Sequence, residues 1–197
     1  TVGFFAVLFG TIAGTLLGLA AVFYKKLDGV IMRVIDGFMA FPDIILAITL
    51  AAIWGSGMWP ITFAIGTAMA PRMARMVRSA ALSVVEMDYV ESAKAVGTRD
   101  GAVVFKYILA NCVSPIIVQA TAAFAGAILA ESLLSFLGIG IAPPTPTWGG
   151  MISGGRQYLS SIPTISLFPG IAIGMAVLGL NLLGDGLRDI LDPRLKN

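Results

Sequence analysis

Two aspartates, Asp43 and Asp185, lie within or beside long apolar stretches of this sequence. A charged side chain inside a membrane is costly, so such a residue indicates either a function or a position near the interface. Two carboxylates that share one proton form the centre of aspartyl hydrolases. Membrane-embedded hydrolases of this type need Gly-x-Gly-Asp, and Leu182 stands where the first glycine is required. Asp185 also precedes Arg188, which favours an ion pair at a helix end over catalysis.

Asp43 and Glu131 are the two carboxylates with both a functional and a local interpretation. Asp43 follows Pro42 inside an apolar stretch. It either faces a path through the membrane or is a polar helix end close to the interface. Glu131 lies near the end of another apolar stretch, where it either lines a vestibule or forms a cap or an ion pair. The residue types leave these alternatives open.

The groups on which most enzymes rely are missing. The chain has no histidine, and its one cysteine, Cys112, has no partner for a disulfide or for a cysteine-based metal site. No phosphate-binding loop of the pattern Gly-x-x-x-x-Gly-Lys-Ser/Thr occurs. We therefore expect no cofactor, no metal and no enzymatic activity in this chain. Any energy from ATP must then come from another polypeptide.

The composition indicates an all-α membrane protein. Of the 197 residues, 57% are hydrophobic and 12% are charged, whereas soluble domains carry about 25% charged residues. A spanning helix needs roughly 20 mostly apolar residues, and lipid requires every backbone group to be satisfied internally. We expect a single transmembrane domain over residues 1–197. Its five predicted spanning helices are residues 2–24, 30–54, 58–77, 104–137 and 162–187.

The positions of lysine and arginine predict the orientation. With five alternating spans, all but one of the 13 basic residues fall on one side, and Arg156 lies on the other. The richer side is expected to be cytoplasmic. The C-terminus is then inside, and residues 138–160 form an extracytoplasmic loop, either an ordered connection or a seat for a soluble partner. Because the chain starts at Thr1 rather than Met, we expect a further segment upstream.

The cytoplasmic segment 87–101 is polar and has small residues at its centre. Asp88 and Glu91 have the spacing of a capping box, Glu91 and Lys94 are placed to pair, and Gly97 is a glycine of the kind that ends helices. The pattern predicts a helix of about eight residues, about 12 Å long. Such a helix either rests on the membrane surface or docks into a partner protein. The small central residues favour docking.

Separated motifs resemble those of one transporter family. Residues 89–97 (YVESAKAVG), followed by 107–111 (YILAN), look like the EAA motif of binding-protein-dependent ABC importer permeases. Three further stretches are similar to the second permease subunit of dipeptide, oligopeptide and nickel importers: residues 129–140 (LAESLLSFLGIG), 143–149 (PPTPTWG) and 181–194 (NLLGDGLRDILDPR). The resemblance covers nearly the whole chain and implies the MetI-like helical bundle of these permeases.

The resemblance implies that the 87–101 segment is a coupling helix that sits in a cleft of an ATPase subunit. It also implies a multi-pass protein of a prokaryotic inner membrane, with peptides or nickel as cargo. The implied partners are a related permease chain, two ATP-binding subunits that hydrolyse ATP, an extracytoplasmic binding protein and the lipid bilayer, with no nucleic acid. The residues that would contact the ATPase are Tyr89, Glu91, Ser92, Ala93, Lys94 and Gly97.

The chain departs from the family pattern in two ways. Ala110 stands where the family usually has proline, which predicts a softer bend after the coupling segment. The family also normally has one more helix before residues 2–24, in agreement with an upstream segment. The alternative function is a passive channel or an assembly scaffold that uses no ATP. A protein of that class has no need of a cytoplasmic docking helix.

Overall fold

The computed structural model describes residues 1–191, and all regular secondary structure within them is helical. This confirms the predicted all-α fold. Arg194 and Lys196, which contributed to the predicted orientation, lie outside the described residues, as does the end of the 181–194 motif. The helices are α1 (Val2–Phe23), α2 (Lys25–Met39), α3 (Asp43–Trp54), α4 (Met58–Val85), α5 (Asp88–Ala95), α6 (Asp100–Phe136), α7 (Trp148–Gly155) and α8 (Thr164–Leu191).

Three of these helices, α1, α6 and α8, are long and apolar enough to cross a membrane. The predicted second span, residues 30–54, is not one continuous helix, because α2 and α3 meet at an angle of 91°. Pro42 accounts for the break, since proline lacks a backbone N–H and restricts the residue before it. Taken together, α2 and α3 make a fourth candidate span. The number of five spans therefore stays a prediction.

The α1 and α4 helices pack with their backbones in contact. A Cβ atom added to Gly14 would lie 2.6 Å from the Ala70 carbonyl oxygen, so only glycine permits this approach. Facing positions advance by four residues on both helices, which means that α1 and α4 run parallel. The facing pairs are Gly10 with Gly66, Gly14 with Ala70, and Gly18 with Ala74.

Small residues have the same four-residue spacing on α6 (Ala122, Gly126 and Ala130) and on α8 (Gly170 and Gly174), yet their glycines do not make such contacts within residues 1–191. A Cβ atom on Gly126 of α6 would meet only the end of the Met69 side chain, at 3.4 Å. On α8, Gly170 and Gly174 have no neighbour within 4 Å. Spacing alone therefore identifies a face that admits close packing and does not say whether a helix occupies it.

Three aspartate–arginine ion pairs join α2 and α3 to α4. The aspartates are spaced by seven or eight residues and the arginines by three, in opposite order, so α2 runs antiparallel to α4. The sequence patterns contain both sets of residues and do not indicate their pairing, because the partners are 39 and 50 positions apart in two of the pairs. The pairs are Asp28–Arg78, Asp36–Arg75 and Asp43–Arg72.

The predicted loop, residues 138–160, contains the α7 helix. Thr147 caps α7, and its Oγ1 accepts a hydrogen bond from the Gly150 N–H at 3.0 Å. The Arg156 guanidinium lies 5.1 Å from the centre of the Phe136 ring, at the end of α6. The segment is thus a folded element packed on α6 and α8. Its place outside the cytoplasm stays a prediction.

Candidate coupling helix and central cavity

The α5 helix, Asp88–Ala95, has the predicted length of eight residues. Its N-cap is Met87 rather than Asp88, and no side chain caps it, so the predicted capping box does not form. Asp88 and Glu91 lie in the first turn instead, where negative charge stabilises the helix dipole. Lys94 lies in the last turn. Within the described residues, Lys94 and Glu91 do not form the predicted ion pair.

Gly97 ends α5, as the sequence predicts. Its φ angle is +84°, a left-handed conformation that glycine adopts without steric cost. The Gly97 N–H donates to the Lys94 carbonyl at 2.9 Å, and the Thr98 N–H donates to the Ala93 carbonyl at 3.1 Å. These two bonds form a Schellman motif, which satisfies the final carbonyls of α5 and directs the chain towards α6.

Val90 anchors α5 to the bundle. Its side chain is fully buried in a cluster of residues from α1, α4 and α6, among them Leu19, Val84 and Val103. Complete burial of a valine contributes about 1.5–3 kcal/mol. Because this one anchor joins α5 to α4 and α6 together, α5 is held to the ends of both helices at the same time.

The rest of α5 faces outwards. Its one buried side chain, Val90, points to the bundle, and Tyr89 is exposed. Val96, just after the helix, is 87% exposed. Both alternatives for α5, docking into a partner and contact with the membrane surface, are compatible with this exposure, so docking stays a prediction. Most of the residues with a predicted ATPase contact are exposed: Tyr89, Glu91, Ser92, Lys94 and Gly97. The remaining one, Ala93, is half-buried.

Val90→Ala is expected to loosen α5 without unfolding the bundle. Loss of two buried methyl groups lowers the free energy that holds α5 to the bundle by about 1–2 kcal/mol, and α5 has no other buried side chain. We expect faster hydrogen–deuterium exchange of the α5 amides in the detergent-purified protein, with α1 and α4 unchanged. The matched control is Val96→Ala, which removes the same groups at an exposed position. Equal exchange in the two variants would contradict the anchoring role of Val90.

A π-helical turn at Val103–Ile108 lies within the first turns of α6. Val103 and Ile108 are both buried in the cluster that holds Val90. Such turns are frequent at functional sites, and no residue pattern in the sequence indicated this one. Ala110 follows in regular α-helix, and α6 continues to Phe136 without interruption. The π-helical turn that follows α5 therefore comes before Ala110, the position at which the family usually has proline.

A cavity of about 440 Å³ lies between α1, α3, α4 and α6, and we call it the central cavity. Most of its wall is apolar, with Gly10, Ala47 and Met69 as examples. Its volume is within the range of about 300–1,000 Å³ that is usual for ligand sites. The side chains that bring hydrogen-bonding groups to it are Thr11, Asp43, Arg72 and Gln119.

Asp43 lies at a helix end and beside the central cavity, and its place on a path through the membrane stays a prediction. It is the first residue of α3, directly after the break at Pro42, and it also lines the central cavity. Its Oδ2 lies 2.9 Å from Arg72 Nη2, and the side chains of Arg72 and Asp43 are 61% and 37% exposed. Thr11 Oγ1 in the same cavity is buried and has no hydrogen-bond partner within the described residues. No residue pattern indicated that Arg72 and Thr11 lie in the same cavity as Asp43.

Glu131 lies in a separate groove of about 530 Å³ near the start of α1 and of α7. Its Oε1 accepts a hydrogen bond from the Ser135 hydroxyl at 2.8 Å, one turn further along α6. Thr147 and Trp148 contribute to the same groove. Glu131 thus has a local partner and a place in a surface groove, and the structure does not bring it to Asp43.

Sequence comparison identifies the family and several relatives. Residues 6–197 match the model of the binding-protein-dependent transport system inner membrane component family. A putative peptide transport system permease protein of Brucella suis is 46% identical over 195 residues, which are 99% of this chain and 66% of the relative. The dipeptide permease DppC of Alkalihalophilus pseudofirmus is 46% identical over 197 residues, and the glutathione permease GsiD of Pectobacterium atrosepticum is 43% identical over 196 residues. These cover 100% and 99% of this chain and 65% of each relative.

The fold also matches a solved transporter. A chain of the MetNI methionine ABC transporter, in an inward-facing conformation, superimposes with a TM-score of 0.76 at 18% identity, over 97% of this chain and 91% of that chain. This confirms the predicted MetI-like bundle. The chain spans about two thirds of the length of the relatives above. On the match of residues 6–197, this protein belongs to the family of inner membrane components of binding-protein-dependent transport systems.

Proposed function

We propose that this chain is the permease subunit of an ATP-driven importer of peptides and forms half of the translocation pathway. The observation that carries the proposal is the α5 helix, which Val90 anchors to the bundle while its EAA-like residues face outwards. A passive channel needs no such element. Three relatives are named as permeases for peptides, dipeptides and glutathione, which supports peptides rather than nickel as the cargo of this chain.

The coupling follows from the way in which α5 is held. An ATPase subunit that grips the exposed residues of α5 moves Val90 with them, and Val90 moves the ends of α4 and α6. Since both helices line the central cavity, displacement at α5 changes the shape of that cavity. ATP binding and hydrolysis occur on the partner subunits. In this arrangement α5 and the C-terminus lie in the cytoplasm, and Thr1 lies on the opposite side.

The proposed complex has four kinds of subunit. A related permease completes the pathway, two ATPase subunits contact one coupling helix each, and an extracytoplasmic binding protein delivers the peptide. The groove that contains Glu131 and Trp148 is next to the folded 138–160 segment, which makes it a suitable place for the binding protein to dock. Tyr89, Glu91, Ser92, Ala93, Lys94 and Gly97 form the ATPase contact.

The test is the purification of the full-length protein from native membranes in mild detergent, with mass spectrometry of the proteins that co-elute. We expect a second permease and an ATPase subunit to co-elute, together with a binding protein whose ligand identifies the cargo. A homo-oligomer without an ATPase, reproduced under gentle extraction, would contradict the proposal and favour the passive channel.

A further inference from the structure

The Asp43–Arg72 pair differs from the other ion pairs between α2–α3 and α4. Asp28 and Arg78 are the least exposed pair, and they share two hydrogen bonds of 2.6 Å each. Asp43 and Arg72 share a single contact of 2.9 Å. This pair lines the central cavity, whereas the residues of the other two pairs lie in a separate groove. Because Asp43 and Arg72 share one contact where Asp28 and Arg78 share two hydrogen bonds, a ligand exchanges with the Asp43–Arg72 contact more readily.

We propose that Asp43 and Arg72 form a transient binding site for a zwitterionic peptide in the central cavity. The Arg72 guanidinium binds the free carboxylate of the peptide, and the Asp43 carboxylate binds its free ammonium group. The site rests on the proposed importer function, and it adds a substrate class to that function: peptides with both termini unblocked. It also assigns Arg72 a role that the motifs of the sequence do not indicate.

The internal pairing explains why such a site selects zwitterions. With the cavity empty, the Asp43 carboxylate and the Arg72 guanidinium neutralise each other at 2.9 Å. A zwitterion replaces one ion pair by two and again leaves every charge paired. A peptide with one blocked terminus replaces the contact with one of the two residues and leaves the other residue without a charged partner, so it gains less from the exchange than a zwitterion does.

The same pairing keeps the site weak, as a transport pathway requires. A ligand has to break the Asp43–Arg72 contact before it gains its own, so part of its binding energy is offset. Passage through a pathway needs binding that is favourable enough for entry and weak enough for release. Thr11, whose buried hydroxyl in this cavity has no partner among the described residues, supplies a further hydrogen bond to the peptide backbone.

The experiment uses the complete transporter, with its binding protein and ATPases, in lipid vesicles. It compares the initial ATP-driven uptake of one dipeptide with that of its C-terminal amide. Because the binding protein is the same throughout, a change in the ratio of the two rates reports on the permease. Arg72→Gln is expected to lower the ratio of free to amidated peptide by roughly tenfold, the effect of one lost charge-assisted hydrogen bond. Arg75→Gln, one turn away and outside the cavity, is the matched control and keeps the ratio of the unmodified transporter.

Equal slowing of both peptides by Arg72→Gln would overturn the proposal and make the pair a purely structural contact. If Arg72→Gln prevents assembly, Gln119→Glu replaces it, since it adds a negative charge to the same cavity wall and leaves the ion pair intact. This variant is expected to lower the ratio, and an unchanged ratio would overturn the proposal. Absence of ATP-driven uptake of both peptides in the unmodified transporter would overturn the importer function itself, and the site with it.

Discussion

Gly97→Val is expected to lower ATP-driven uptake by about tenfold or more while the protein still inserts and assembles. Gly97 has a φ angle of +84°, and a side chain in this left-handed conformation costs roughly 1–2 kcal/mol per residue, with β-branched residues among the least tolerant. Relief of this strain requires loss of the two Schellman hydrogen bonds that end α5. The outward surface of α5 then changes orientation, and in the proposed mechanism movement of the ATPase no longer reaches α4 and α6.

Two further variants separate this effect from a general loss of structure. Gly101→Val places the same side chain four residues further on, within α6, where an added Cβ atom has no neighbour within 4 Å. We expect it to retain uptake. Gly97→Asn is expected to restore most of the activity, because asparagine tolerates the left-handed conformation better than valine does. Normal uptake by Gly97→Val, at the normal level of protein in the membrane, would contradict the coupling role and favour a passive channel.

Gly14→Val is expected to destabilise the whole bundle by about 3 kcal/mol or more. A Cβ atom at this position would lie 2.6 Å from both the Ala70 carbonyl oxygen and the Met73 Cβ atom, and the valine methyl groups would extend further into α4. Backbone oxygen atoms cannot rotate away, so α1 and α4 would have to separate. Overpacking of this kind typically costs about 1–3 kcal/mol, occasionally more. Thermal unfolding of the detergent-purified protein measures the effect.

The matched control for this variant is Gly174→Val in α8. It makes the same replacement in another long apolar helix, at a position where an added Cβ atom has no neighbour within 4 Å. We expect a change in stability of less than about 1 kcal/mol, the difference in helix propensity between glycine and other residues. If both variants unfold at the same temperature, close packing of α1 on α4 does not hold the bundle together.

The two glycine variants are expected to fail in different ways. Gly14→Val disturbs the core of the fold, so its main effect is a smaller amount of folded protein. Gly97→Val disturbs a surface element held by one buried side chain, Val90, so folded protein remains and its coupling is lost. Measurement of membrane level and uptake together distinguishes these outcomes.

Much of the fold could be predicted because it depends on local patterns. Apolar stretches longer than the thickness of a bilayer have to be helical, since no water is available to their backbone groups. The eight residues of α5 and the stop at Gly97 were predicted for the same reason, because helix ends depend on residues within one or two turns. The family resemblance was equally local, as it rests on short motifs.

The details that the sequence missed lie where a local rule competes with its surroundings. Hydropathy averages over a window, so residues 30–54 are predicted as one helix, whereas Pro42 divides this candidate span into α2 and α3 at 91°. Asp88 has the residue type of an N-cap, but α5 starts one residue earlier, with Met87 as its cap. Pro42 was visible in the sequence, but the longer apolar pattern outweighed it. At α5, the preference of aspartate for the N-cap position outweighed the residues around it.

The sequence by itself determined that this protein is an all-helical membrane bundle with a short exposed helix between two long ones. Only the tertiary structure decided which small-residue face is packed, which arginine meets Asp43, and where four helices enclose the central cavity. The physical reason is distance along the chain. Helix formation and helix ends depend on neighbours within about four residues. Asp28 and Arg78, in contrast, are 50 positions apart and meet only because α4 packs antiparallel to α2.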